Sequence, residues 1–248
     1  MMIHFDEIDE ECDDVDQGIQ FEISDVERSI SNNLLAIFNG TDGRYIGTAF
    51  IIDDKGTFIS AGHNFKNLSI PHKLYWENQE LQYETIHIEY TEQYSYKETV
   101  LECKDVYIGR IINFENIQHS EIGIVKNEVE NDPDLIVIGI KSSKIPTYDK
   151  EIIIEPIMIN NQQLFIYYIK TNLTNPENLA SQPIHNGDLR LKHNNVCYLD
   201  FKRVNPCNYV GISGGPVCMD GKFIGMVIAD MFITMDYILQ LLPQFKKA

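Results

Sequence analysis

The chain has 248 residues, 44% of them hydrophobic, which suffices for one large domain or two small ones around a sizeable core. Its 20 lysines and arginines face 37 aspartates and glutamates, a formal net charge of −17 that disfavours binding to nucleic acid or anionic membranes. No apolar run approaches the roughly 18 residues of a membrane-spanning helix, so we expect no membrane insertion.

The first 22 residues form an acidic segment that we predict to be flexible. Residues 6–16 hold eight carboxylates in eleven positions, and this start lacks the basic and apolar regions of a secretion signal. We therefore expect a cytoplasmic protein.

The five cysteines predict free thiols and no cofactor. An odd number cannot all pair, and their spacings match no zinc module, so neither a metal nor another cofactor is expected. A zinc site is a minor alternative on ligand type alone, and its ligands would be Cys197, Cys207, Cys218 and His193.

Residues 24–36 predict a short helix beginning at Ser24 or Asp25. Beyond it, short runs rich in Ile, Val, Tyr and Phe predict about twelve strands with almost no helix between them, the pattern of an all-β barrel or sandwich. Hairpin turns are predicted at DDKG and MDGK, and a C-terminal helix at MDYILQLLPQF. The predicted strands lie in LLAIFNG, YIGTAFIID, GTFISAG, ETIHIEY, DVYIGRIINF, SEIGIVKN, DLIVIGI, EIIIEPIMI, QLFIYYIK, NVCYLDFKRV, GPVCMD and FIGMVIAD.

The run GISGGPV places Ser213 among three glycines. A nucleophilic serine needs a base within hydrogen-bond reach and donors aimed at the developing oxyanion. The backbone N–H groups of Gly211 and Ser213 are the candidates for such an oxyanion hole, because glycine lets the chain turn them inward. Without a base elsewhere in the chain, the run would predict only a loop.

His63 is the candidate base. It follows the small residues Ser60, Ala61 and Gly62 at the end of a predicted hairpin, and small neighbours leave room for an imidazole to face a cleft. For a single histidine, the capping of a strand end would be the simpler interpretation.

Taken together, GTAFIIDDKGTFISAGH and the downstream GISGGPVCMDGKFIGMVI resemble the chymotrypsin-like serine proteases, especially their disulfide-free bacterial HtrA-type branch, here without a PDZ domain. In that family an Ala-(Ala/Gly)-His motif carries the base and a Gly-x-Ser-Gly-Gly-Pro loop carries the nucleophile. The resemblance extends over residues 30–70 and 196–245, and it is weak between them.

The resemblance implies two antiparallel six-stranded β-barrels, with the active site in the cleft between them. We expect the first barrel over residues 23–140, with His63 and the acid. The second barrel is expected over residues 141–248, with Ser213 and the C-terminal helix.

The family's chain order of His, Asp and Ser points to Asp134 as the acid that orients the imidazole. Asp134 heads the apolar run LIVI, as the family's acid heads a strand. Three alternatives stay open: Asp105, which also precedes an alternating run, Asp132 and Glu121.

Two departures from the family's pattern constrain the mechanism. Digestive members carry an aspartate before the serine, which pairs with an N-terminal amine freed by activation cleavage. That position is Ile212 here, so we expect activity without such cleavage and an oxyanion loop ordered in another way. The cysteine that usually follows the histidine is Asn64, so the disulfide beside the site is missing, which suits a reducing compartment.

Four residues are candidates for the substrate pocket. Cys207 stands where the trypsin subgroup has an acid, so the resemblance implies a small or medium apolar residue before the scissile bond. Asp230 is the alternative, since near the pocket wall it would recruit a basic side chain. Ile228 and Ala229, which precede it, complete the expected lining.

The sequence therefore predicts an intracellular serine endopeptidase that acts on a protein or peptide substrate and is gated by a regulatory partner or trigger. An effector of bacterial stress or antiphage defence is the suggested context, by analogy alone. The alternatives are a catalytically silent binding or scaffold protein with the same fold, and an esterase that uses the same triad.

Overall fold

The computed structural model describes residues 21–66, 69–90, 104–125, 134–144, 151–172, 196–198, 211–228 and 231–242. The acidic segment 1–22 lies almost wholly outside them. In chain order the helices and strands are α1 (Asp25–Ile30), β1 (Leu34–Asn39), β2 (Tyr45–Ile51), β3 (Thr57–Ala61), β4 (His72–Trp76), β5 (Gln79–Leu81), β6 (Tyr83–Tyr90), β7 (Asp105–Ile111), β8 (Leu135–Lys141), β9 (Ile152–Ile159), β10 (Gln162–Thr171), β11 (Val196–Tyr198), β12 (Pro216–Met219), β13 (Lys222–Ile228), β14 (Met231–Thr234) and α2 (Met235–Leu241).

Both predicted helices are present. Helix α1 begins where expected, because the Ser24 side chain accepts a hydrogen bond from the backbone N–H of Glu27 while the Glu27 carboxylate accepts one from the backbone N–H of Ser24. This reciprocal pair satisfies N–H groups that a helix start otherwise leaves without partners. Helix α2 occupies the first part of the predicted C-terminal helix and buries Met235, Ile238 and Leu239.

The described strands form two antiparallel sheets of seven strands each, one more than the six expected per barrel. The first sheet has the order β5-β4-β1-β2-β3-β7-β6, and the second has the order β11-β14-β13-β12-β8-β10-β9. The short strands β4 and β5 are not among the strands predicted from the sequence. Their polar sequences HKLYW and QEL lack the run of apolar residues that marks a buried strand. Of the predicted strand SEIGIVKN, the structure describes residues 120–125, and these contribute one isolated bridge, between Ile124 and Phe223.

Strand β8 belongs to the second sheet, which corrects the expected boundary at residue 140. Its residues pair with β10 on one side and with β12 on the other, for example Val137 with Val217. In the described part of the chain, the first sheet ends at Ile111 and the second begins at Leu135. A strand that leaves one barrel and a strand that enters the next look alike in sequence, since both are continuous apolar runs.

A core shared by the two sheets holds them against each other. Strands β2 and β3 are buried on both faces, and the ring of Phe50 lies 4.9 Å from that of Phe223 in the second sheet. Residues from both sheets enter one apolar cluster, including Ile59, Ile138 and Met226. Fully burying a side chain of this size stabilises the fold by about 1.5–3 kcal/mol, so this shared core stabilises the packing of the two sheets against each other. No helix within the described ranges has the length and hydropathy needed to cross a bilayer.

Candidate active site

The imidazole of His63 is held by the carboxylate of Asp105. His63 lies in a 3-10 turn, Gly62–Phe65, that directly follows β3, and Asp105 is the first residue of β7. Since β3 and β7 pair with Ala61 opposite Val106, the two side chains start from adjacent positions of one sheet. His63 Nδ1 is 2.7 Å from Asp105 Oδ2, and the His63 backbone N–H donates to Asp105 Oδ1, also over 2.7 Å.

This two-point contact fixes the orientation and the tautomer of the ring. The Asp105 side chain is 1% exposed, whereas that of His63 is 33% exposed. Because an ionised carboxylate only accepts, it selects the neutral tautomer in which Nδ1 donates and Nε2 is left to accept. The contact therefore makes Nε2 of the partly exposed ring the candidate base, with the buried carboxylate against Nδ1.

Asp134, the acid expected from the sequence, does not lie against His63. Its carboxylate pairs with the ammonium of Lys170 at 2.8 Å, and its side chain is 67% exposed. It precedes β8, which pairs within the second sheet and not with the strand that carries His63. The structure thus puts Asp105, one of the alternatives, in the position expected of Asp134. Glu121 is exposed, and Asp132 is outside the described residues.

An aromatic stack behind the pair fastens the histidine turn to β7. The rings of Phe65 and Tyr107 are stacked, with centroids 3.7 Å apart and planes inclined by 12°. Phe65 is two residues after His63, and Tyr107 is two residues after Asp105. The Tyr107 hydroxyl in turn hydrogen-bonds with Thr85 Oγ1 at 2.7 Å. This support cannot be predicted from the sequence, because no local pattern indicates that the two rings meet.

The loop that carries Ser213 has a backbone that explains its glycines. Gly211 and Gly214 adopt φ values of +100° and +89°, which side chains other than glycine rarely tolerate. At Gly214 a Cβ would also lie 2.1 Å from the carbonyl oxygen of Thr48. The Gly214 N–H donates to the carbonyl of Val227 on β13 over 2.8 Å, so the loop is tied to the second sheet.

Two hydrogen bonds tie the Ser213 backbone to the sheet that carries His63. The Ser213 carbonyl accepts from the backbone N–H of Thr48 over 3.2 Å and from Nδ2 of Asn64 over 2.9 Å. Asn64 is the residue directly after His63, so the serine loop and the histidine turn lie side by side. The hydrogen bonds of the described residues do not include one between Ser213 Oγ and the His63 ring.

Two buried hydroxyls hold the carbonyl of Gly211, at the start of the loop. The Tyr45 hydroxyl is 3.0 Å from that carbonyl oxygen, 2.8 Å from the carbonyl oxygen of Ile140, and 3.0 Å from Thr48 Oγ1. Thr48 Oγ1 also accepts from the Ile140 N–H over 2.9 Å. Burial raises the pKa of Tyr45 far above its usual value of 10, so the phenol stays a neutral donor.

The side chain of Ile212 anchors the same loop through apolar contacts. It is 1% exposed and packs in a cluster with Val137, Tyr167 and Val217. Gly139 on β8 makes room for it, because a Cβ there would lie 2.7 Å from the Ile212 Cβ. The position that the digestive proteases fill with a charged residue is thus part of the hydrophobic core here.

Of the predicted substrate-pocket residues, the structure describes Ile228 alone. It is fully buried at the end of β13, where it pairs with Met231. Cys207, Ala229 and Asp230 lie outside the described residues. The pocket and the preference for an apolar residue stay predictions.

The zinc alternative gains no support from the part of the chain that the structure describes. Within it, no group of three or more histidine, cysteine, aspartate or glutamate side chains is placed to hold a metal ion. Cys218 is fully buried in the core, and its burial raises the thiol pKa well above the usual value. The side chains of Cys197, Cys207 and His193 are outside the description.

The fold is similar to those of solved serine protease structures. Neuropsin, a serine protease expressed in the limbic system of mouse brain, superimposes with a TM-score of 0.59 at 13% identity, covering 88% of this chain and 96% of that one. GrC gives a TM-score of 0.55 at 12% identity, with 92% and 98% coverage. Deg5 gives a TM-score of 0.53 at 12% identity, with 87% and 89% coverage.

At the level of sequence, neither a family model nor a curated protein matches the chain. Identities of 12–13% support a common fold and nothing finer. The two antiparallel sheets, the short N-terminal helix and the C-terminal helix nevertheless agree with what the two sequence motifs implied. The chain has the two-barrel fold of the chymotrypsin-like serine proteases.

Proposed function

We propose that the protein is a serine endopeptidase whose triad is His63, Asp105 and Ser213. The observation that carries the proposal is the two-point contact between His63 and a buried Asp105, beside a glycine loop that carries Ser213. A histidine that merely capped the end of a strand would need neither a buried carboxylate against Nδ1 nor a serine loop beside the same turn. A Ser-His-Asp constellation is recognised by this geometry and not by chain spacing.

In the proposed reaction, Ser213 Oγ attacks the carbonyl carbon of the scissile peptide bond while His63 Nε2 takes the hydroxyl proton. Asp105 stabilises the imidazolium so formed. The proton then passes to the leaving amine as the C–N bond breaks, which leaves an ester on Ser213. Water attacks this ester with His63 again as the base, the acid product leaves as the ester bond breaks, and His63 returns the proton to the Ser213 oxygen.

Two backbone N–H groups are available for the negative charge that develops on the carbonyl oxygen. Within the described residues, neither Gly211 nor Ser213 donates its N–H to another backbone group. Preorganised donors of this kind contribute about 3–4 kcal/mol each to transition-state stabilisation in acyl transfer. The carbonyl of Gly211 is held from behind by Tyr45, which supports an ordered oxyanion loop.

In the proposed mechanism, a hydrogen bond between Ser213 Oγ and His63 Nε2 would form when substrate binds. Catalytic hydrogen bonds are often long or badly aligned in substrate-free enzymes, and their absence there does not disqualify a base. The backbone ties between the two segments limit how far either has to move.

The oxyanion loop is ordered without an ion pair to a new N-terminus. Ile212 packs into the core, and the Gly211 carbonyl is bound by the Tyr45 hydroxyl, so this loop has no carboxylate with which an amine freed by activation cleavage could pair. We propose that the enzyme belongs to the HtrA-type branch and acts inside the cell, since Asn64 replaces the cysteine of a disulfide and Cys218 is a free thiol. A regulatory protein partner would gate it, and bacterial stress or antiphage defence is the suggested setting.

Reaction with a fluorophosphonate probe, followed by mapping of the modified peptide, tests the proposal. The probe phosphonylates serines that are activated by a base, so Ser213 is the expected site, and His63→Ala should abolish the reaction. Modification at another residue contradicts the assignment. A folded protein that does not react at all favours the binding or scaffold alternative.

A further inference from the structure

The carboxamide of Asn64 sits at the junction of the two sheets. The residue is 4% exposed, although asparagine usually remains at the surface. Its Nδ2 lies 2.9 Å from the Ser213 carbonyl oxygen and 3.1 Å from Ser60 Oγ, and the carbonyl oxygen of Thr48 is 3.5 Å away. A buried polar side chain with this many partners is expected to have a defined orientation.

These contacts close a ring of hydrogen bonds. Asn64 donates to the Ser213 carbonyl and to Ser60 Oγ, Ser60 donates to the Thr48 carbonyl over 2.6 Å, and the Thr48 N–H donates to the Ser213 carbonyl over 3.2 Å. A carbonyl can only accept, so the NH₂ end of the carboxamide has to face Ser213. An isosteric carboxylate could not replace it there.

The neighbouring strand leaves room for this side chain. Gly47 on β2 has no Cβ, and one placed there would lie 2.5 Å from Asn64 Nδ2 and 2.6 Å from Cγ. Real Cβ atoms do not approach so closely, so the glycine and the carboxamide fit one another. Asn64 thus fills this space without forming a disulfide.

On the basis of the proposed function, we propose that Asn64 is a positioning residue, which sets the distance between the nucleophile loop and the catalytic histidine. Asn64 is covalently joined to His63 and hydrogen-bonded to the Ser213 carbonyl, so one residue connects the base with the nucleophile loop. It does so without a thiol, and the connection is independent of the redox state of the compartment.

Loss of the carboxamide should act on reactivity more than on stability. In Asn64→Ala the Ser213 carbonyl keeps only the Thr48 N–H, and the loop is free to shift away from His63. A misplacement of about 1 Å at a reacting centre costs on the order of 100-fold in rate. A residue that merely fills space would lower the unfolding midpoint and leave the reactivity of the folded protein unchanged.

Asn33, which ends a 3-10 turn directly before β1, offers a matched control. It is 1% exposed, and its Nδ2 also donates to two carbonyls, those of Ile51 over 3.1 Å and Ser120 over 3.0 Å. It contacts neither His63 nor Ser213 in the structure. Asn33→Ala therefore removes an equally buried carboxamide and should affect folding by a comparable amount.

The test measures phosphonylation by a fluorophosphonate at several probe concentrations, below the unfolding midpoint of every variant. Asn64→Ala should lower the maximal rate of inactivation about 10- to 100-fold with little change in the half-saturating concentration, whereas Asn33→Ala should leave both near wild type. Asn64→Leu keeps most of the volume, loses the donors and adds no charge, and it should be as slow as Asn64→Ala. Should Asn64→Ala not fold, Asn64→Leu decides. A wild-type maximal rate in the folded variant, or equal losses in Asn64→Ala and Asn33→Ala, would overturn the proposal.

Amide hydrogen exchange separates this inference from the proposed function. Peptides that cover residues 211–216 should exchange faster in Asn64→Ala than in wild type, and Asn33→Ala should not show this change. If wild type never reacts with the probe, the proposed function fails, and the exchange rates alone decide whether Asn64 holds the loop. Unchanged exchange in this segment contradicts the role of Asn64 whatever the probe does.

Discussion

Replacing Asp105 with asparagine is expected to lower the kcat of peptide hydrolysis by about 10⁴-fold while the protein remains folded. The amide can offer its NH₂ group to His63 Nδ1, which favours the tautomer with the proton on Nε2 and removes the base from the side that faces Ser213. It also carries no charge to stabilise the imidazolium. The measurement is the initial rate on any peptide that the wild type cleaves, with circular dichroism to confirm folding.

Asp134→Asn is the matched control, because both aspartates head a strand and both have a charged or ionisable partner. Asp134 pairs with Lys170 at an exposed site, and exposed ion pairs contribute only about 0–1 kcal/mol to stability. We expect its kcat to stay within twofold of wild type. If Asp134→Asn were inactive while Asp105→Asn kept wild-type activity, Asp134 would be the acid and the assignment would be reversed.

Replacing Ile212 with aspartate is expected to destabilise the fold by about 3–5 kcal/mol, the cost of a buried charge without a partner. The digestive members of the family carry this residue, but there an N-terminal amine pairs with it. Here the side chain lies among Val137, Tyr167 and Val217, and even a Cβ added at Gly139 would lie against it. Urea denaturation measures the effect, which is a large fraction of the 5–15 kcal/mol typical of a domain.

Ile212→Val distinguishes the charge from the loss of packing. Removing one methylene from this site should cost about 0.5–1.5 kcal/mol and keep the loop in place. If Ile212→Asp were no less stable than Ile212→Val, the apolar anchoring of the oxyanion loop would be wrong, and the loop would have to be held by other contacts.

The sequence indicates the base and the nucleophile because their signals are local. Ser213 is surrounded by glycines whose positive φ values or close contacts the loop requires, and His63 follows small residues at a strand end. Both signals lie within a few residues of the group concerned. The resemblance of the two motifs, in this order, to those of the chymotrypsin-like serine proteases implied the fold. The helix start at Ser24 is a further case, since a capping box involves only neighbours three positions apart.

The acid could not be identified in the same way, because its role depends on strand pairing. Asp105 and Asp134 both precede strands of the same apolar character, and only the pairing of β7 with β3 brings one of them to His63. For the same reason the boundary between the sheets was misplaced around β8. The sequence of a strand does not show which barrel the strand joins, because that depends on its pairing with strands elsewhere in the chain.

Contacts between segments that are distant along the chain could not be predicted from the sequence either. From the sequence, Asn64 is notable only as the residue that replaces a cysteine, although its carboxamide donates a hydrogen bond to the Ser213 carbonyl, 149 positions further along the chain. Tyr45 appeared only as a strand residue, although its hydroxyl holds the Gly211 carbonyl. Such contacts require that both sheets be in place, since a hydroxyl or an amide carries no local pattern that indicates its partner.

Cleavage of a complex peptide mixture by wild type and by Ser213→Ala, with the products identified by mass spectrometry, tests the proposed catalysis directly. We expect wild type to generate new peptide ends and Ser213→Ala, folded to the same extent, to generate none. Equal cleavage by the two proteins would show that Ser213, activated by His63 and Asp105, is not what breaks peptide bonds.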